Sequence, residues 1–593
     1  TKDPLTLTWN KDGRMRMVDL PSGRSAIEQA DFSGDVKIVH PDLDMTSEAL
    51  SLRFDPSRAL KPEPTQPAGS AGAAGATPSP ADNDVADSLR EINAQGNVNC
   101  RMHDAGEPRT IAAQKLNVEL DRSPAGERYA RVIRAEGDVR TQQGKDALSA
   151  GRLTAELAPA TQPAAVNPIR TVDASDAKPA TSPFGGASAQ LVSLIAQDKV
   201  NLTTADGSTA AAQTLKVQKV NGHEQYQLFG NPATVMQGKT VISGPAIRFA
   251  PDEQIAEVIG VGGMKGTLPD DPKQSFDIAW AGGAVVNGAT NFIDVTDKVV
   301  IKSTQADGSI STATSPKLRA RLEPKAPTTK VAVTKPSSSQ SDKMNFLAGK
   351  EITSATLSGD DANNVEAKSE LFAEDGSLAR GLNLYAKTIT TNRVTGRLEV
   401  PVPGKMLYQD HRPPPPANAG AGAGAGAAKE GPTLGSGRGN TAFQWQKSLV
   451  YDDAQRQVVM TGDVQVVHHP ETKQGQPFNL WADSLTAELE ADPDAKLPAP
   501  NPAAAVDKQQ SKMRLKRVLA RGNVKVESTR MNIDARELSY DPVAQVLHAR
   551  GDENAPITLF DKEKGTTSTA GELEWNTATD QFRVKELSGK VRP

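Results

Sequence analysis

Residues 520–541 read ARGNVKVESTRMNIDARELSYD, and two phrases within them decide the fold. The first phrase is Gly522–Val524 (Gly-Asn-Val), after which apolar and polar residues alternate through Val526. The second is Ala-x-x-Leu at Ala535 and Leu538, followed by the same alternation. Successive side chains of a β-strand point to opposite faces, so the alternation predicts strands with one buried face. Because glycine tolerates positive φ, we interpret the first phrase as a turn at which the chain reverses.

Both phrases recur along the chain. The first recurs at Gly34-Asp35-Val36, Gly96-Asn97-Val98, Gly137-Asp138-Val139 and Gly462-Asp463-Val464, and without glycine at Asp198-Lys199-Val200 and Asp297-Lys298-Val299. The second recurs at Ala113/Leu116, Ala150/Leu153, Ala212/Leu215, Ala482/Leu485 and Ala570/Leu573. A pair of strands cannot bury an apolar face alone, so the pairs must stack and share one interior. The sequence therefore predicts an all-β fold of repeats stacked into an elongated, twisted ladder.

Stretches rich in Ala, Gly, Pro, Ser and Thr interrupt this pattern. They lie at 59–84, 158–188, 324–342, 412–440 and 491–510. Such segments cannot bury enough apolar surface to offset chain entropy, so we expect disordered insertions and linkers there. The predicted β-repeat regions are then 1–158, 189–323 (diverged), 343–411 (one diverged repeat) and 441–593, with 412–440 as a linker.

Composition excludes several classes of function. The 593 residues carry 68 Lys and Arg against 72 Asp and Glu, a net charge of -4 that gives no electrostatic case for a nucleic-acid partner. The single cysteine, Cys100, excludes an internal disulfide and a Cys-based metal site. No run approaches the roughly 18 apolar residues of a membrane-spanning helix, although an anchor before Thr1 stays open. No catalytic constellation or cofactor motif is visible, so we predict a protein that is not an enzyme and uses no cofactor.

The phrases Ala-x-Gly-Asn-Val-x-Val at Ala520–Val526 and Ile-x-Ala-x-x-Leu-x-Tyr-Asp at Ile533–Asp541 resemble the OstA-like (LptA) family of lipopolysaccharide-transport proteins. The resemblance is strongest over 440–593 and 30–157, weaker over 190–325 and weakest over 345–411. It implies a V-shaped β-jellyroll, or β-taco, whose apolar groove holds the acyl chains of lipopolysaccharide as they cross the periplasm. The chain departs from the family in its larger number of repeats and its low-complexity insertions.

The inward apolar residues of the repeats are the candidate groove. They are Val36, Ile38, Leu52, Phe54, Leu116, Val118, Val139, Leu153, Val464, Val466, Leu485, Val524, Val526, Ile533, Leu538 and Tyr540. A continuous apolar trough loses its water readily and suits acyl chains. The residues alone leave a packed interior equally open, and the resemblance favours the lipid-filled alternative.

A basic stretch near the C-terminus is a candidate for the lipid headgroup. It contains Lys512, Arg514, Lys516, Arg517, Arg521 and Lys525, and Arg530 follows. Such a stretch attracts phosphates, but a solvated strand face explains the same charges. On a strand, His468 and His469 would point to opposite faces, so they are not expected to bind a metal together, and we expect a loop position before Pro470.

These observations predict a non-enzymatic, periplasmic bridge that binds lipopolysaccharide or a similar amphipathic lipid. Its end strands, near Leu5 to Trp9 and Phe582 to Leu587, would pair with other OstA-like jellyrolls. The alternative is a structural β-solenoid spacer or adhesin stalk with a fully packed interior. A carbohydrate-active β-helix enzyme would need stacked carboxylates on one outer face, and no such stack is visible.

Overall fold

A computed structural model describes most of the chain. The residues outside the description are 1–5, 22, 24, 41–42, 57–87, 103–108, 125–127, 160–188, 268–273, 306–307, 325–349, 413–437, 472–476, 492–512, 543, 553–554, 577–580, 586–587 and 591–593. Apart from a 3₁₀ turn at Pro251–Glu253, the elements of the described residues are all β-strands. The all-β prediction is confirmed. The predicted insertions fall almost entirely outside the described residues.

The described strands divide into two compact units. Those of unit 1 are β1 (Thr6–Thr8), β2 (Gly13–Asp19), β3 (Ser25–His40), β4 (Leu43–Phe54), β5 (Leu89–Met102), β6 (Arg109–Arg122), β7 (Arg128–Gln143), β8 (Asp146–Pro159), β9 (Ala189–Thr203), β10 (Thr209–Val220), β11 (His223–Gln237), β12 (Thr240–Ala250) and β13 (Ile255–Ile259). Each strand from β3 to β12 pairs antiparallel with the next one along the chain. β1 and β2 pair with different halves of β3.

The Gly-Asx-Val phrase lies in the middle of a strand. In β7, Gly137 and Asp138 have φ of 78° and 48°. Glu136 pairs with Arg152 and Val139 with Ala150, so two residues of β7 stand opposite one residue of β8. The predicted positive φ is confirmed, but the predicted chain reversal is wrong. Two successive left-handed residues form a β-bulge that bends the strand, and its antiparallel pairing resumes on the far side.

The same bulge recurs in alternate strands of unit 1. Its two positive-φ residues are Gly34 and Asp35 in β3, Gly96 and Asn97 in β5, Gly137 and Asp138 in β7, and Asp198 and Lys199 in β9. The intervening strands β6, β8 and β10 carry the Ala-x-x-Leu phrase, and in β6 Ala113 and Leu116 are both buried although they are three residues apart. In an uninterrupted strand they would face opposite sides. Each strand is therefore bent into two arms, each with its own inward face.

Each arm carries one inward row of directly paired residues. The row of the first arm is Ile38, Met45, Cys100, Ile111, Thr141, Leu148, Leu202, Ala210 and Val235. The row of the second arm is Ala30, Leu52, Ile92, Val118, Ile133, Ala155, Leu194, Val217, Tyr226 and Phe249.

A third row lies at the bend between the arms and alternates large and small side chains. It runs Leu50, Ala94, Leu116, Ala135, Leu153, Ala196 and Leu215, and none of these is more than 3% exposed. Placing leucine against alanine across each pair lets large and small side chains interdigitate at the bend. Most of the alanines precede a bulge by two residues, and most of the leucines end an Ala-x-x-Leu phrase. This packing is the physical reason for both phrases.

Unit 2 begins after Ile259. Its described strands are β14 (Gly262–Thr267), β15 (Ser275–Trp280), β16 (Gly283–Asn287), β17 (Phe292–Thr304), β18 (Ile310–Pro324), β19 (Lys350–Ser358), β20 (Val365–Phe372), β21 (Leu378–Ala386), β22 (Thr388–Asn392), β23 (Arg397–Val400), β24 (Gly404–Asp410), β25 (Gly439–Trp445), β26 (Ser448–Asp452), β27 (Gln457–Pro470), β28 (Phe478–Ala491), β29 (Met513–Ser528), β30 (Met531–Asp541), β31 (Val546–Arg550), β32 (Ile557–Asp561), β33 (Thr566–Ala570), β34 (Glu572–Asn576), β35 (Gln581–Lys585) and β36 (Ser588–Lys590).

In unit 2 the two arms separate into two tracks of short strands. One half of β18 pairs with β19 and the other with β20. From there one track runs β19, β22, β23, β26 and the other β20, β21, β24, β25, and both rejoin on β27. The tracks separate again beyond β30, as β31, β34, β35 and β32, β33, β36. Two arms joined by bent or interrupted strands form the OstA-like jellyroll type of fold.

Replacing Gly137 by alanine tests the bulge. An added Cβ would adopt a left-handed conformation and lie 2.7 Å from Cβ of Gln114. Gly207 also has positive φ (84°), but nothing lies within 4 Å of its added Cβ. We expect Gly207→Ala to cost about 1 kcal/mol of unfolding free energy and Gly137→Ala about 2 kcal/mol or more, measured by urea unfolding. Equal costs would contradict close packing at the bulge.

Candidate functional site

A pocket opens between the two arms of unit 1. The empty space in and around the pocket is about 820 Å³, and this volume includes open solvent at the mouth of the pocket. The first arm contributes residues of β6, β7, β8 and the end of β9, and the second arm contributes the start of β9 with β10 and β11. The lining residues are Arg109, Thr110, Ile111, Thr141, Gln142, Gln143, Asp146, Ala147, Leu148, Leu191, Leu194, Leu202, Thr204, Leu215, Val217, Glu224 and Tyr226.

The pocket follows the direction in which strands are added to the unit. Residues of six consecutive strands, β6 to β11, line it. Within it, Ile111, Leu148 and Leu202 come from the inward row of the first arm. Its mainly apolar lining suits the hydrocarbon part of a small molecule or a lipid.

The pocket lies where the inward packing is incomplete. Thr141 pairs with Ile111 on one side and Leu148 on the other, so a polar residue interrupts an apolar row. Leu191 and Leu202 are only partly covered, whereas Leu194 beside them is 2% exposed. A half-exposed leucine on an inward face leaves apolar surface for a ligand to cover.

Three charged residues are among those lining the pocket. Arg109 is only 5% exposed and pairs across the strands with Gln143. The backbone amide of Ala205 donates to Oδ1 of Asp146 at 2.7 Å. The hydroxyl of Tyr226 donates to Oε2 of Glu224 at 2.9 Å. The lining is thus mainly apolar and includes one guanidinium and two carboxylates.

None of the sixteen groove candidates lines this pocket. Leu52, Phe54 and Val118 are half-buried. The others are between 0% and 6% exposed, covered by the protein itself: Val36, Ile38, Leu116, Val139, Leu153, Val464, Val466, Leu485, Val524, Val526, Ile533, Leu538 and Tyr540. The structure therefore buries thirteen of the sixteen on the inner faces of strands, and their contact with lipid stays a prediction. The signal that sequence reasoning missed is Thr141, a polar residue at an inward position.

The basic candidates lie mainly on a solvent-facing strand. Lys516, Arg517, Arg521 and Lys525 of β29 are exposed, Arg514 lies in the same strand, and Lys512 falls outside the described residues. Arg517 forms an ion pair with Glu488, and Nε of Arg521 lies 2.8 Å from Oε2 of Glu537. Exposed ion pairs of this kind contribute about 0–1 kcal/mol. Headgroup binding by these residues stays a prediction.

His468 and His469 lie within β27 and point to its opposite faces, so the expected loop position is wrong. His468 is 2% exposed and its Nδ1 lies 2.9 Å from Oγ1 of Thr441. Its ring stacks on Phe478 with centroids 5.3 Å apart, while His469 is exposed. In the part of the chain that the structure describes, no group of three or more His, Cys, Asp or Glu residues could hold a metal ion.

The burial of His468 makes stability depend on pH. Burial, with a smaller effect from His469, lowers the pKa of His468 to about 4. An unfolded histidine takes up its proton near pH 6.5, so the full stability is present above pH 6.5 and falls between pH 6.5 and 4. We expect a loss of up to about 3 kcal/mol over that range, measured by urea unfolding.

His468→Gln should remove most of this loss, and His469→Gln, at the exposed neighbour, should retain it. If the unfolding free energies of the wild type and both variants showed the same pH dependence, the assignment to His468 would be contradicted.

A family comparison supplies the context for the pocket. Residues 125–255 match the family model described as "LptA/(LptD N-terminal domain) LPS transport protein". This stretch of the chain is therefore similar to the LptA/LptD N-terminal domain. This domain supports a role in lipopolysaccharide transport in the cell envelope. A comparison with curated proteins found no match.

The LptA/LptD N-terminal match and the pocket coincide. All of the lining residues except Arg109, Thr110 and Ile111 fall within 125–255. The match also lies mainly in 190–255, where the motifs are weaker, and overlaps the stronger region 30–157 only at its end.

Among the described residues, no helix has the length and apolar character needed to cross a membrane.

Proposed function

We propose that the chain carries lipopolysaccharide, or a similar amphipathic lipid, by holding an acyl chain in the pocket between the arms of unit 1. The observation that carries this proposal is the overlap of the pocket with the lipopolysaccharide-transport domain at 125–255. The partly covered side chains of Leu191 and Leu202 provide apolar surface from which an acyl chain would displace water. No covalent chemistry is needed, so the protein is proposed to be a passive, non-enzymatic carrier.

The proposed setting is the periplasm, where the chain would act as a bridge. β2 is exposed along its whole length, and within the described residues it pairs only with β3. β35 likewise pairs only with β34 in the described part of the chain. An unpaired strand edge invites a further strand, so these ends are proposed to join other OstA-like jellyrolls. A passive groove has no direction of its own, and any direction of transport would come from such partners.

A packed structural spacer is the second candidate, and one observation favours it. Val524 and Val526 of β29 are 1% and 6% exposed, and Leu538 and Tyr540 of β30 are fully buried. Protein atoms already cover these side chains, so this part of unit 2 has the burial of an ordinary core. The two candidates can be separated by asking which inward positions touch lipid in the cell envelope.

Site-specific photocrosslinking makes that distinction. Benzoylphenylalanine would replace Leu202, which lines the pocket, and in a matched control its exposed neighbour Asn201. A second pair would be Val526 and its exposed neighbour Lys525 in β29. After irradiation of cells that make lipopolysaccharide, we expect an adduct at position 202 at least about five times as abundant as at 201, because only residue 202 faces the interior.

Each outcome selects one account, provided that circular dichroism shows the variants to be folded. An adduct at 202 alone supports a carrier whose open part is the unit 1 pocket. Adducts at both 202 and 526 support a groove in both units. No adduct at either inward position contradicts the carrier and favours the packed spacer.

A further inference from the structure

Thr141 is the one residue with a hydroxyl in the inward row of the first arm, as far as the structure describes that row. It pairs with Ile111 of β6 and with Leu148 of β8, which are 3% and 7% exposed. Thr141 itself is half-buried and lines the pocket. Valine has nearly the same shape without the hydroxyl, and Val235 occupies the same row. The packing of this row therefore does not require a hydroxyl at position 141.

Several other polar groups of the lining are bonded within the protein. The side-chain amide of Gln142 donates to a backbone carbonyl at 3.0 Å, and the hydroxyl of Thr204 donates to Oδ1 of Asp206 at 2.6 Å. Oδ1 of Asp146 accepts from a backbone amide at 2.7 Å. The hydroxyl of Thr141, in contrast, has no hydrogen-bond partner among the described residues. A ligand that covers this hydroxyl must supply a partner for it or leave a polar group unpaired.

The chemistry of the hydroxyl indicates what such a ligand carries. A plain hydrocarbon chain offers no hydrogen bond, whereas a hydroxyl or an ester oxygen on the chain does, and threonine can both donate and accept. Thr141 lies about 7 Å along β7 from the β7–β8 turn, which has Gln143 and Asp146 of the lining at its two sides. A polar headgroup at this turn would place the first part of its acyl chain beside Thr141.

We propose that Thr141 hydrogen-bonds an oxygen carried by the acyl chain close to its headgroup, either a free hydroxyl or the oxygen of an ester-linked branch. The pocket then selects oxygen-bearing acyl chains over plain ones, and Thr141 is the residue that determines this specificity. This assignment rests on the proposed carrier function and adds the chemical class of the acyl chain.

Binding of four uncharged probes with the same headgroup and chain length tests the assignment. They are the sucrose monoesters of dodecanoic, β-hydroxydodecanoic, β-acetoxydodecanoic and ω-hydroxydodecanoic acid, each added below its micelle concentration to the delipidated full chain and followed by calorimetry. The wild type should bind one of the two β-substituted esters about fivefold or more tighter than the plain ester, as one net hydrogen bond allows. The ω-hydroxy ester, with its oxygen at the far end, should gain about twofold or less. Tighter binding of the β-hydroxy ester would indicate a free hydroxyl, and of the β-acetoxy ester an ester-linked branch.

Variants of Thr141 separate recognition of the oxygen from binding of the chain. Thr141→Val removes the hydroxyl and should reduce the preference to about twofold or less, while the plain ester binds as tightly as to the wild type or tighter. Thr141→Ser keeps the hydroxyl and should retain the preference. Thr46→Val makes the same change at an exposed position of β4, and its binding should match the wild type. If circular dichroism shows that Thr141→Val does not fold, Thr141→Ala, which also lacks the hydroxyl, carries the test.

The results that would overturn the assignment can be told apart from failure of the carrier function. A preference for the β-oxygen that is absent in the wild type, is equalled by the ω-hydroxy ester, or survives in Thr141→Val removes the role of Thr141. Binding of the plain ester would leave the carrier function intact in each of these cases. Failure of all four esters to bind the wild type removes the carrier function and the assignment together.

Discussion

The structure depends on one backbone constraint, the pair of left-handed residues at the centre of alternate strands. A strand that contains Gly137 and Asp138 cannot stay straight, because two residues occupy the place of one opposite its partner. The partner strand must place Ala150 and Leu153 on the same inward side although they are three residues apart. In unit 1 the strands from β3 to β10 pair across this bend in turn. The two arms, and the interior between them, are consequences of that repetition.

The same constraint separates two kinds of interior. At the bend, leucine and alanine alternate across the strands, and side chains such as Leu153 are almost fully buried. Farther along the arms no such rule applies, and packing depends on which residues happen to face each other. Where Thr141 interrupts the row and Leu202 is half-exposed, the arms enclose a pocket. The pocket of unit 1 therefore forms where the inward side chains of otherwise regular strands do not pack fully against each other.

The sequence predicted what is local and periodic. Strand alternation around Val524 and Val526, the recurrence of both phrases and the inward faces all follow from spacing along the chain. The bulge at Gly522 and Asn523 was mistaken for a reversal because positive φ is common to both, and only pairing across strands distinguishes them. The pocket could not be predicted because it joins residues such as Arg109 and Tyr226, which are far apart in sequence and belong to different strands. The separation of unit 2 into two tracks also depends on pairing between distant segments.

The central claim is that this chain holds lipid in an interior pocket between two β arms. The most direct test is mass spectrometry of the lipids extracted from the intact chain after purification from a host that makes lipopolysaccharide. The account predicts acyl lipid in near-stoichiometric amount, reduced severalfold in a folded Leu202→Trp variant. Lipid-free wild-type protein that also fails to take up added lipopolysaccharide would contradict the account and favour a packed structural spacer.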